Sequence, residues 1–210
     1  MSLTPHTHMN SSTPPPLPGA QRTPLNRSIK LLIGLAVAAT VLFVALLVLR
    51  IGHLVMWFNV PTGAMSPAIS PGDHVMMQGL GYLAREPHRG DVVAFKINDN
   101  PFLPSGRFYV MRVAGEPGDQ LRILDGRLYI NNQQVTLSNA AGAIAFFPPQ
   151  GRDATAPPFE ATVPPAHYFV LGDNSTNSLD SRYWGSLPRN NVIGRMGFCY
   201  WPPRRIGWVK

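Results

Sequence analysis

Hydrophobic and polar positions follow two different rhythms along this chain. From Leu31 to Leu49, 19 consecutive residues carry no charge and are mostly Leu, Val, Ala and Ile. At a rise of 1.5 Å per residue, such a helix roughly matches the 30 Å hydrocarbon core of a bilayer. A buried core helix would carry a polar face, and this run offers only Thr40 and Gly34. A cleaved secretory signal has a shorter apolar region, about 7–15 residues, with small residues at its exit. Here the exit reads Arg50-Ile51-Gly52-His53-Leu54-Val55-Met56-Trp57-Phe58. The pattern predicts one transmembrane helix and its flank within residues 30–56, with Trp57 and Phe58 at the far interface.

Beyond Val60 the rhythm changes to short alternating runs punctuated by Gly and Pro, the period of strands. Strands are predicted at 73–78, 91–97, 108–114, 120–124, 127–130, 134–137, 168–171 and 192–200. Asp125-Gly126 suits a two-residue hairpin turn with positive φ, and Asn131-Asn132 a second. No helical pattern of four turns follows the apolar run, so the expected class is an all-β domain over residues 57–210 behind one N-terminal helix. Residues 138–165 carry weak strand signals and are expected to form an insertion. Residues 98–106 form another loop, whose Phe102 and Leu103 suit either a bilayer contact or partial core packing.

Composition agrees with turn-rich β structure: 22 Pro, 19 Gly and only 14% charged residues. The net charge of +7 is unevenly placed. Arg22, Arg27 and Lys30 precede the apolar run with no acidic residue among them, which favours a cytoplasmic N-terminus and an exported β domain at a cell membrane. No basic stripe with interleaved aromatics occurs, so nucleic acid is not an expected partner. Residues 1–29, with Pro14-Pro15-Pro16, read as a disordered tail of partly polyproline character. Cys199 is the single cysteine and excludes an intrachain disulfide. No His/Cys/Asp/Glu spacing suits a metal and no Gly-rich phosphate loop occurs; no cofactor is expected.

Four segments carry a family resemblance in collinear order. They are 61–67 (Pro-Thr-Gly-Ala-Met-Ser-Pro) with Pro71-Gly72-Asp73; 89–96; Tyr109-Val110-Met111-Arg112-Val113 on to Asp119; and 172–185, followed by Val192-Ile193-Gly194-Arg195. Together they resemble type I signal peptidases, membrane-anchored serine proteases that use a Ser/Lys dyad. The resemblance implies their β fold and, as partners, the membrane and signal peptides or preproteins. The ligand would be an extended segment held as an added strand in a groove that accepts small side chains.

Active members carry the nucleophile in a Ser-Met-x-Pro pattern and a deprotonated lysine immediately before an arginine. In the matching frame this chain has Ala64 before Met65 and Met111 before Arg112. A methyl group cannot attack a carbonyl, and a thioether does not take up a proton at physiological pH. The dyad chemistry is therefore expected to be absent, leaving a pseudopeptidase that binds without cleaving. A methionine fills a lysine-sized slot without the desolvation cost of a buried charge.

The resemblance assigns Thr62 to the oxyanion site and Ser178 to the serine that bonds the family's lysine. It places Asp180 and Arg182 as charges holding the wall of the site, and Met65 and Pro67 along the substrate groove. Asp173 and Asn174 suit a turn that bonds its own backbone. Ser175-Thr176 stand where the family usually has Arg-Asp. Two alternatives remain at this point: an active signal peptidase whose sequence carries inactivating substitutions at these positions or uses a relocated nucleophile at Ser66 or Thr62, and a membrane scaffold with an unused groove. Neither hydroxyl has a lysine in the matching frame. Lys96 falls at a strand position other than the base, and His74 and His88 have no acid partner by spacing.

Overall fold

The computed structural model describes residues 26–51, 55–79, 82, 85–98, 100–149 and 158–209. The expected tail lies outside these residues as far as Leu25. Its last positions belong to helix α1 (Arg27–Ile51), because Asn26 starts the helix with its carbonyl accepting from the Ile29 and Lys30 N–H groups. The α1 window Arg27–Val48 is wholly exposed and is long and apolar enough to cross a bilayer. The hydroxyl inside its apolar run is satisfied locally, Thr40 Oγ1 donating to the Ala36 carbonyl at 2.9 Å.

The remainder is mostly β. The strands are β1 (Val55–Asn59), β2 (His74–Gln78), β3 (Val92–Lys96), β4 (Phe108–Gly115), β5 (Gln120–Leu124), β6 (Arg127–Ile130), β7 (Gln133–Val135), β8 (Ser138–Asn139), β9 (Gly142–Ala143), β10 (Phe159–Thr162), β11 (His167–Leu171), β12 (Leu187–Pro188), β13 (Val192–Trp201) and β14 (Gly207–Trp208). The larger sheet runs β1-β2-β13-β3-β4-β11-β12, with β14 against β13, all antiparallel. A smaller sheet runs β10-β5-β6-β7, and β8 and β9 pair alone. The turns expected between β5 and β6 and between β6 and β7 are present. Asp125 and Gly126 take φ of 51° and 75°, Asn131 and Asn132 of 52° and 65°, as the tight primed hairpin turn requires.

The structure adds elements that the pattern did not suggest. Trp57 and Phe58, expected at a membrane interface, lie in β1, where Trp57 meets Tyr200 edge-on at 5.0 Å and Phe58 meets Phe108 at 5.0 Å. The 138–165 stretch holds the small β8–β9 hairpin and β10, which closes the smaller sheet against β5.

Two hydrophobic clusters form, and strands β4 and β11 serve both. Met111, Val113, Tyr168 and Val170 face the first cluster, whereas Ala114, Phe169 and Leu171 face the second. Burial on both faces explains why β11 reads as the unbroken apolar run Tyr168-Phe169-Val170-Leu171.

Candidate active site

The 61–70 connection hangs between β1 and β2 and carries the first resemblance segment. Backbone bonds from Val60 N to Asp73 O and from Gly72 N to Val60 O close its base. Met65 (2% exposed) and Ile69 (0%) plug the first core and fix the turn from below. Met65 is therefore not on the groove where it was expected. In a turn the side chains do not alternate as in a strand, and this one points inward. Pro67 is exposed and borders a second, adjacent cavity.

The turn is held from the side by the 172–185 segment. Asn174 N donates to Ala64 O at 3.0 Å, and Asn174 Nδ2 to Gly63 O at 3.2 Å. Gly172 lies so close that a Cβ on it would fall 2.6 Å from Ala64 O and 2.2 Å from Ser178 Oγ. Only glycine permits this approach.

Two buried ion pairs set the geometry behind these contacts. Arg182 meets both carboxylate oxygens of Asp180 at 2.7 Å, with both side chains fully buried. The same guanidinium donates to the Ser175 Oγ and carbonyl at 2.7 Å and to the Phe147 carbonyl. Asp180 accepts from the Gly172 N–H at 3.0 Å and caps the short helix α2 (Ser181–Trp184) through Arg182 N. Arg112, next to Met111, makes the second pair, with Nε and Nη2 each 2.7 Å from an Asp173 oxygen. This partnership, 61 residues apart in sequence, left no local signal; the turn reading of Asp173 did not anticipate it. Asn139 also donates to Asp173, at 3.1 Å. The Ser175 hydroxyl accepts from both Arg182 and the Phe147 N–H.

Together these segments enclose a groove of about 590 Å³. Thr62, Ala64, Met111 and Ser178 all line it, so the structure brings together residues of three segments widely separated in sequence. Met111 is 4% exposed, and its side chain closes the apolar floor beside Ala64. The Ser178 hydroxyl is buried and has no hydrogen-bond partner. Phe102, Leu179 and Tyr109 supply apolar walls. Burial pushes the Tyr109 phenol above its ordinary range, opposed by the nearby Arg107 charge. Among the described residues the lining contains no lysine, histidine or carboxylate. Lys96 packs over the Phe108 ring at 4.1 Å, and His88 lies 3.6 Å from Glu116, both outside the lining.

One wall presents free strand edge. Val113 directs both backbone groups toward the β3 side, accepting from Gly90 N and donating to Asp91 O at 2.8 Å. By alternation, Tyr109 and Met111 do the same, while Phe108 and Val110 direct theirs the other way. On that other side β11 pairs only with Arg112–Gly115. Among the described residues, Phe108–Met111 have no strand neighbour there.

A family profile described as "Signal peptidase, peptidase S26" matches residues 32–201. The chain belongs to this signal peptidase family. A probable signal peptidase I-2 of Synechocystis is 32% identical over 152 residues, covering 70% of this chain and 64% of that protein. Signal peptidase I of Pseudomonas aeruginosa is 31% identical over 202 residues, covering 77% and 69%. Signal peptidase IB of Staphylococcus aureus is 29% identical over 180 residues, covering 81% and 88%. The chain spans less than two thirds of the Synechocystis relative, and 42% of the thylakoidal processing peptidase 1 of Arabidopsis thaliana. A solved signal peptidase I from Enterococcus faecalis is 27% identical, covering 53% of this chain and 97% of that one at a TM-score of 0.38.

Proposed function

We propose that this protein is a non-cleaving signal peptidase relative, anchored by α1, that binds the segment around a signal-peptide junction without hydrolysing it. The observation that carries the reading is the composition of one groove. Ala64 and Met111 line it where a nucleophile and a base are needed, and the Ser178 hydroxyl beside them has no partner. Acyl transfer needs an oxygen or sulfur nucleophile and a group to take its proton; a methyl and a thioether supply neither. The peptide site remains in place. The unpaired edge at Val110 accepts an extended segment as an added strand, and the apolar walls take its small side chains.

The basic residues Arg27 and Lys30 at the start of α1 support an orientation with the N-terminus in the cytoplasm and the β domain on the outer side. Exported precursors meet the groove there. Ser66 and Thr62 do not replace the nucleophile. Ser66 Oγ bonds Ser70 Oγ at 3.3 Å outside the groove, and Thr62 shares the lining with no base.

The test uses the full chain in detergent micelles with a radiolabelled preprotein, beside an Ala64→Ser/Met111→Lys variant. The expected result is no cleavage by the unsubstituted chain and cleavage by the double variant, whose lysine would give Ser178 a partner. Hydrolysis by the unsubstituted chain refutes the proposal.

A further inference from the structure

The groove carries a single charge. Among the described residues of its lining, Arg107 is the only charged side chain. It directly precedes β4, two residues from Tyr109 and four from Met111, and all three line the groove. The backbone around it is held on both sides. Leu103 is buried in the first core, the Tyr109 hydroxyl donates to Pro104 O at 3.0 Å, and Gly106, with a φ of 77°, turns the chain into the strand. Phe108, the next residue, is paired opposite Lys96. Arg107 itself is exposed, and no carboxylate among the described residues lies within ion-pair distance of it. A segment added at the Val110 edge passes beside this guanidinium. Apolar side chains laid over it strip its water and leave it unpaired, and a lysine adds like-charge repulsion. A carboxylate supplies a two-pronged acceptor.

Resting on the reading above, we propose that Arg107 sets the choice of client: the groove favours precursors that carry an aspartate or glutamate about four residues from the junction, in an otherwise uncharged segment. The spacing follows from β4. At about 3.3 Å per residue, Arg107 stands about 13 Å along the chain from Met111, so it meets the peptide residue four positions from the one beside Ala64. Only one side of the junction runs toward Arg107, so the same acid on the opposite side gains nothing. The apolar walls select size, and Arg107 selects the sign of charge.

Dye-labelled peptides spanning one precursor junction provide the test with the full-length protein in neutral detergent micelles. The set is an uncharged parent and versions with Asp or Lys four positions before or after the junction. Fluorescence anisotropy is expected to show, on one side only, the Asp peptide binding about fivefold tighter than the Lys peptide, a preference that fades in roughly 0.5 M salt. Arg107→Glu, at an exposed position, is expected to invert that order. Arg127→Glu, an equal change of net charge at an exposed position on β6, is expected to keep it. Equal affinities for Asp and Lys on both sides, an order that Arg107→Glu leaves standing, or one that Arg127→Glu also inverts overturns this inference alone. Failure of every peptide to bind overturns it together with the reading on which it rests. An anionic lipid headgroup is the rival occupant: a preference abolished by a small fraction of phosphatidylglycerol in the micelles assigns Arg107 to the membrane surface and overturns the proposal.

Discussion

Gly172 offers the most direct test of how the groove wall is assembled. A methyl group at this position would stand 2.2 Å from Ser178 Oγ, 2.5 Å from Ser178 Cβ and 2.6 Å from Ala64 O. Ordinary carbon contacts lie near 3.5–4.0 Å, so the neighbours must retreat by about 1 Å. Neither side yields easily. Ala64 O is held by the Asn174 N–H, and Ser178 sits between Ser175 and Asp180, both gripped by Arg182. Gly172 does not take a positive φ, so the effect of Gly172→Ala is steric and not conformational. Overpacking of a well-packed site costs about 1–3 kcal/mol, and the rigidity here argues for the upper end, about 3 kcal/mol. For a chain of this size each kcal/mol is worth roughly 2–4 °C in melting temperature, giving a fall of about 6–12 °C. The matched control is Gly207→Ala, where the added methyl meets nothing within 4 Å; its effect is expected within about 0.5 kcal/mol. Near-UV circular dichroism of both variants in detergent, at one scan rate, measures the difference. If Gly172→Ala melts within 2 °C of the parent, the wall is softer than described and the argument fails.

Two further outcomes follow from the charges and the buried phenols. Asp180→Ala leaves the Arg182 guanidinium buried without its carboxylate and is expected to cost about 3–5 kcal/mol, while an Asp180→Leu/Arg182→Met double variant recovers part of the loss in thermal melts. Tyr168, whose phenol donates to Glu86, is pushed up to about 12 by burial first and that hydrogen bond second. A raised folded-state value means its contribution is whole below pH 10 and lost as pH climbs through about 12. Tyr168→Phe is therefore expected to flatten the fall of melting temperature between pH 10 and 12; an unchanged slope contradicts the assignment.

Much of the fold was readable because its signals are local. Alternation located eight strands, and Asp125-Gly126 and Asn131-Asn132 located the tight turns. β1 escaped because Val55–Asn59 directly follow the apolar run and read as its flank, when in fact they pair with β2. β10 escaped because Phe159–Thr162 gain strand character only from β5, across a stretch rich in Pro and Gly. Phe102 and Leu103, which suited either bilayer or core, divide the roles: Leu103 is 4% exposed in the core and Phe102 lines the groove. The site was legible only as motifs. Motif spacing brought Ala64, Met111, Thr62 and Ser178 to notice, but it gave no account of which side chain would face inward. Met65 was misplaced for that reason, and the Arg112–Asp173 pair was invisible because it joins segments that meet only once β4 and β11 have paired.

The sharing of β4 and β11 between two hydrophobic clusters has a mechanical consequence. The smaller sheet leans on the back of the same strands whose front borders the groove, so neither half keeps its packing when the other opens. Slow amide exchange should accordingly fall into one cooperative unit embracing both sheets. A peptide clasped along the β4 rim would then slow exchange even at Ile123 and Leu128, on strands it never touches.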